Sequence, residues 1–138
     1  MTRSDVREIV ADRLAAAGEA TVSESLDGTE PWPVHWRKMP ALPDEAIVIA
    51  CYGLGGDYEL GVQVRVRGSR DSTTSAEDKA QAIKDVLHGL ANQTRGDTTL
   101  VLLTHTSTAD LGSDANGRDE LAVNFRAVTN DPNTALDF

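Results

Sequence analysis

Gln63, Arg65 and Arg67 alternate with Val62, Val64 and Val66, and this run ends at Gly68. A period of two places the three valines on one face of a strand and the three polar residues on the other. Guanidinium forks held on a rigid strand can meet carboxylates or phosphates in fixed geometry, so the polar face reads as a partner-contacting surface. The plainer alternative is a solvated strand face whose arginines only keep the sheet soluble.

A second concentration of chemistry is Pro31-Trp32-Pro33-Val34-His35-Trp36-Arg37-Lys38-Met39-Pro40, which holds both tryptophans of an aromatic-poor chain. Trp and Arg are frequent interface anchors, so Trp32, Trp36, Arg37 and Lys38 are candidates for a partner-contacting loop. The competing reading is a loop that folds its own tryptophans onto the edge of the sheet.

The remaining motifs fail on spacing. Gly53-Leu54-Gly55-Gly56 follows a strand, but a phosphate loop would need a further glycine at Tyr58 and a helix next, so a hairpin turn is expected. Gly112-Ser113-Asp114-Ala115-Asn116-Gly117 lacks the first and twelfth ligands of a calcium loop, which are Gly112 and Val123 here. It reads as a tight turn with Asn116 and Gly117 at positive φ. His35, His88 and His105 have no zinc spacing. His105 stands beside Thr106 and Ser107 with Asp110 near, but strand neighbours point to opposite faces and no nucleophile elbow surrounds them. Cys51, the single cysteine, lies in an apolar run and reads as a buried thiol without a disulfide partner in its own chain. No catalytic residue, metal ligand or cofactor-binding residue is assigned, and an enzyme is not expected.

The elements that position these residues follow from periodicity. Val6, Ile9, Val10, Leu14 and Ala17 recur at helical steps, predicting a helix over 4–17, started by Thr2 or Ser4 and closed by Gly18. The Pro- and Trp-rich stretch 19–43 is a long connection, with a short strand around 21–25. Residues 44–52 and 58–67 form a hairpin across the glycine turn. A helix is predicted over 75–92, with a capping box from Ser75 and Asp78 or from Thr74 and Glu77. A third strand spans 98–107, a loop 109–117, and a fourth strand 120–129. Residues 130–138 form an extended tail. The order helix, hairpin, helix, hairpin predicts a single α+β domain: a mostly antiparallel four-stranded sheet with two helices packed on one face. The other face would carry Gln63, Arg65, Arg67, Asn124 and Arg126, and would seek an acidic neighbour such as the 77–78 or 110–119 segment of another copy.

Composition narrows the function classes. The chain has 138 residues, 40 % hydrophobic and 25 % charged, which suits one globular domain with an aliphatic core. Its net charge of −9, from 22 acidic and 13 basic side chains, argues against a general nucleic-acid binder. No signal peptide and no segment of bilayer length is evident, so a protein made in the cytosol without membrane association is expected.

Three segments together resemble a known family. They are Pro43-Asp44 with the Gln-Val-Arg-Val-Arg-Gly strand, the pattern Ala76-x-x-Lys79-Ala80-x-x-Ile83-x-x-x-Leu87, and Leu111-Gly112-x-Asp114-x-Asn116-Gly117-Arg118. They are similar to bacteriophage tail terminator or minor capsid proteins of long non-contractile tails, over 43–128 and more faintly over 1–17. The Trp-Pro stretch is not a mark of that family. The resemblance implies a virion protein at the head-proximal end of the tail. It would form a homo-hexameric ring that caps the tail tube, ends its polymerisation and joins the tail to head-completion proteins. It implies the major tail tube protein on one side and a connector protein on the other, with viral DNA passing unbound and no cofactor. Six copies would carry six times −9, or −54, which suits a conduit that repels DNA. The alternatives are a neck or head-to-tail connector ring, and a small ligand-binding or enzymatic α+β domain.

Overall fold

The computed structural model describes residues 2–22, 26, 29–36 and 38–130. The elements are α1 (Thr2–Ala16), β1 (Val34–His35), β2 (Ala46–Gly53), β3 (Glu59–Arg70), α2 (Ser75–Leu87), β4 (Ala91–Arg95), β5 (Thr98–Ser113) and β6 (Arg118–Thr129). They form an α+β fold on one six-stranded sheet, in the order β1-β2-β3-β6-β5-β4. β1 runs parallel to β2 and the other neighbours are antiparallel. The sheet is therefore mixed and six-stranded, where a mostly antiparallel four-stranded sheet was expected.

Three of the four central strands have the predicted hydrophobic logic. Ile47 and Ile49, Val62, Val64 and Val66, and Leu121, Val123 and Phe125 share one buried cluster. Val6, Val10 and Leu14 of α1 and Ala76, Ala80, Ile83 and Leu87 of α2 close over that same face. Helical spacing of these residues is what presents one continuous apolar stripe to the pleat. Gly18, at φ +78, ends α1 as expected, with Glu19 N–H donating to the Leu14 carbonyl at 2.9 Å.

The two extra strands lack the pattern that makes a strand legible. β1 is only two residues long and sits in the Pro-rich connection, held by Ile47 N–H donating to Pro33 O at 3.0 Å. Of the strand expected around 21–25, Thr21 makes a single bridge to Pro33, and residues 23–25 lie outside the described residues. β4 is the polar run Ala91–Arg95, whose first two residues the expected helix over 75–92 would have absorbed. The helix stops at Leu87 because Gly89, at φ +85, turns the chain onto β5, donating to the Leu103 carbonyl at 2.8 Å.

β5 continues to Ser113, past its expected end at 107, so the loop over 109–117 shrinks to a turn. Asp114 organises that turn, accepting the Asn116 N–H at 2.9 Å and the Arg118 N–H at 3.0 Å. Gly117 alone takes positive φ there, at +73, and Asn116 does not. The predicted capping box is absent. Ser72 Oγ accepts the Ser75 N–H at 3.1 Å, while the Ser75 hydroxyl donates to Glu45 Oε2 at 3.0 Å. The tail beyond Asn130 lies outside the described residues.

Candidate functional site

The face of the sheet away from the helices takes its side chains from alternate residues of β2, β3, β6 and β5. Cross-strand register pairs Gln63 with Asn124 and Arg65 with Ala122, and places Arg67 opposite Glu120 and Gly61 opposite Arg126. The sequence-predicted set Gln63, Arg65, Arg67, Asn124 and Arg126 is thus brought onto one face. What each side chain does there differs from the expectation of an acidic neighbour on another copy.

Gln63 Nε2 donates to Asn124 Oδ1 at 3.2 Å, and Asn124 Nδ2 donates to Ser107 Oγ at 3.2 Å. These bonds make a polar ladder across β3, β6 and β5. Arg65 reaches Glu120 Oε1 at 3.0 Å, with Arg65 a third exposed. Arg126 pairs with Glu59, and its hydrogen bond is the main reason the Glu59 carboxyl sits below the usual carboxylate range. Two of the acidic partners are therefore in the same chain.

Arg67 is corrected further, because it does not stand on the open surface. It is 4 % exposed, with Nε donating to Asp44 O and Nη2 donating to Pro43 O, each at 2.8 Å. Burial, followed by the nearby Arg118 charge, pushes its pKa down from the usual guanidinium value. It ties the end of the 19–43 connection to β3.

Beside Arg67 lies a network that the sequence reading did not assign. Arg118 is 6 % exposed and donates to Asp114 Oδ2 at 2.8 Å, to the Ala41 carbonyl at 2.7 Å and to Asp44 Oδ1 at 3.4 Å. Arg70 Nε donates to Asp44 Oδ1 at 3.1 Å. The Arg70 hydrogen bond holds the Asp44 carboxyl below its usual range, and the Arg118 backbone N–H does the same for Asp114. The available signal was Asp114 followed by Arg118 four residues later, next to a Gly that allows the turn.

The partner-loop set divides. Trp32 and Trp36 are half-buried and pack against the core. Lys79 Nζ lies 4.8 Å from the Trp32 ring centroid while bonding Glu19 Oε1 at 2.6 Å, and the Arg7 guanidinium lies 4.7 Å from the Trp36 ring centroid. Both tryptophans are thus used within their own chain. Lys38 is exposed, and Arg37 lies outside the described residues.

His105 and His88 meet although they stand on separate elements. His88 Nδ1 accepts the His105 N–H at 3.0 Å, and His105 Nε2 bonds Thr108 Oγ1 at 2.8 Å. Burial, reinforced by Lys84 and His88, lowers the His105 pKa. Among the described residues, no cluster of three or more His, Cys, Asp or Glu converges as a metal site would.

A helix layer on a sheet whose far face is polar and internally paired suits an assembly component. The chain belongs to the bacteriophage tail terminator protein family, which matches residues 13–131. It is accordingly a structural protein of a phage-type virion tail. Among solved structures it is similar to a chain in the virion of a native gene transfer agent particle. That likeness has a TM-score of 0.63 and 16 % identity, over 91 % of this chain and 95 % of the other, and speaks for the fold. No curated protein matches.

Proposed function

We propose that six copies of this chain form a ring at the head-proximal end of the tail, assembled in the host cytosol. The ring caps the tail tube, ends its polymerisation and presents a surface to the head-completion proteins, while DNA passes through its bore. The observation that carries this reading beyond family membership is the internally compensated open face. Arg65, Arg67 and Arg126 are each engaged within the chain, so the face offers no uncompensated row of cations to phosphate. On a chain of net charge −9, such a surface lets DNA slide instead of binding it. The helices then lie outward and the polar face lines the bore. Exposed Lys38 is one residue of the Trp-Pro connection open to a protein neighbour.

Native mass spectrometry and electron microscopy of the purified protein test this reading. The expected species is six copies of 14.8 kDa, about 89 kDa, seen as a ring and seated on the ends of tubes made from the cognate tube protein. A protomer at all concentrations, with tube growth unaffected by its addition, would overturn it.

A further inference from the structure

A groove of about 390 Å³ opens between α2 and β5. Its floor is apolar, made by Ala80 and Leu121, both buried. Its two ends differ in charge. Lys84 stands at the end where the His105 N–H meets His88, just past α2. Glu77 stands at the other end, two helical turns back along α2 and about 10 Å away. Asp110 borders that same end, because its cross-strand partner is the floor residue Leu121 and such partners share a face. One Asp110 oxygen accepts the Gly112 N–H at 2.8 Å, and both acids are exposed.

An apolar floor that ends in two carboxylates fits a lysine side chain. The four-carbon stem lies along apolar surface while the ammonium stays at a wet, acidic rim. An acidic occupant would meet Glu77 and Asp110 as like charges, and a wholly apolar one would desolvate both without a partner. Lys84 does not cancel that end, since the distance between them matches the screening length of about 8–10 Å in physiological salt.

The exposed basic side chains among the described residues are Arg13, Lys38, Arg70, Arg95 and Arg126. Three are already held by acids of their own chain: Arg70 by Asp44, Arg95 by Glu8 and Asp12, and Arg126 by Glu59. Arg13 shares a hollow with Gln93 and Arg95 of β4, which flanks β5 on the same side as the groove. Lys38 follows β1, the strand at the opposite edge of the sheet. A head-to-tail contact joins different surfaces of successive copies and closes into a ring when the rotation per copy allows it. Lys38 is the exposed cation placed to make one.

We propose that Lys38 of one copy lays its stem over Ala80 and Leu121 of a second copy and sets its ammonium between Glu77 and Asp110. The inference rests on the ring reading and specifies a contact that joins its copies. Flank meets flank, so the helices stay outward and the open face stays toward the bore. The contact also answers a cost of assembly. Copies that each carry a net charge of −9 repel one another, and a buried stem with a paired ammonium offsets that repulsion where they touch.

Charge reversal tests the contact. Lys38→Glu, and separately Glu77→Lys with Asp110→Lys, should each raise the concentration needed for half-assembled rings by about tenfold or more, because like charges then face each other. The chain carrying all three changes should recover assembly, since the pairing is restored with its signs exchanged. The three positions are exposed, so the fold is little affected. In the unmodified ring, a carbodiimide should join Lys38 to Glu77 or Asp110 through an amide bond, found by peptide mass spectrometry and absent from the protomer. Rings indifferent to the reversals, or no recovery in the triple variant and no such cross-link, would overturn this inference and leave the ring reading standing. Failure of the unmodified chain to form rings would overturn the proposed function, and this contact with it.

Discussion

Arg118 and Asp44 stand 74 residues apart in the chain, yet the Arg118 guanidinium reaches Asp44 Oδ1 at 3.4 Å. The same guanidinium holds Asp114 and the Ala41 carbonyl, so one side chain joins the β5–β6 turn to the segment that enters β2. It is nearly inaccessible to water, whereas its carboxylate partners keep about a quarter of their surface. This is a partly desolvated network, in which removing one member leaves the others without compensation.

Arg118→Met should therefore lower stability by roughly 2–3 kcal/mol, below the full value for a buried pair because the partners remain partly solvated. Urea unfolding measures this. A midpoint shift within error of the unmodified chain would show that the network is dispensable.

Acid should destabilise the fold through the carboxylates of the same network. Asp44 and Asp114 titrate below their ordinary range in the folded chain, so the unfolded chain binds protons first as pH falls. Their contribution is complete above the unfolded value of about 4 and is lost as pH drops through the lower folded values. Denaturation midpoints between pH 7 and pH 2.5 should fall across that window, and Asp114→Asn should flatten the fall. An identical slope in that variant would refute the assignment.

Gly68 closes the Gln-Val-Arg-Val-Arg-Gly strand for a steric reason. A Cβ there would stand 2.6 Å from the Ala76 backbone nitrogen and 3.1 Å from the Ser75 Cβ, so the first turn of α2 must move. Gly68→Ala should cost about 1–3 kcal/mol, the usual range for overpacking. Thermal unfolding checks it, and an unchanged melting temperature would mean that α2 can shift freely.

The open face should gain affinity for DNA when its internal partners are removed. Glu59→Gln with Glu120→Gln strips the acids from Arg126 and Arg65 and moves the net charge by two, from −9 to −7. Retention of the double variant on immobilised DNA should appear at low salt and vanish as salt rises, with the unmodified chain flowing through. If neither protein is retained at low salt, compensation on this face is not what keeps it from phosphate.

Much of this architecture is written in periodicity. Valines alternating from Val62 to Val66, apolar steps from Ala76 to Leu87, and Gly18 after α1 commit those segments to their elements, because burying one face is the dominant local demand. The sharing of one face by Gln63, Arg65, Asn124 and Arg126 follows from the same period of two. β1 and β4 were not legible, since a two-residue strand and the polar run Ala91–Arg95 carry no burial pattern of their own. They exist because Ile47 and Leu100–Leu102 offer backbone partners brought close by the rest of the sheet.

Sequence alone thus determined the α+β class, the two-helix cover and which residues lie on which side of the strands, because those depend on neighbours within a few positions. Only the tertiary structure decided what the charged groups do. Arg67 is buried on the carbonyls of Pro43 and Asp44, Arg65 faces Glu120, and Trp32 receives Lys79, all through contacts between residues more than twenty positions apart. A charge's partner is set by distance in space, and the chain must close its sheet before that distance exists.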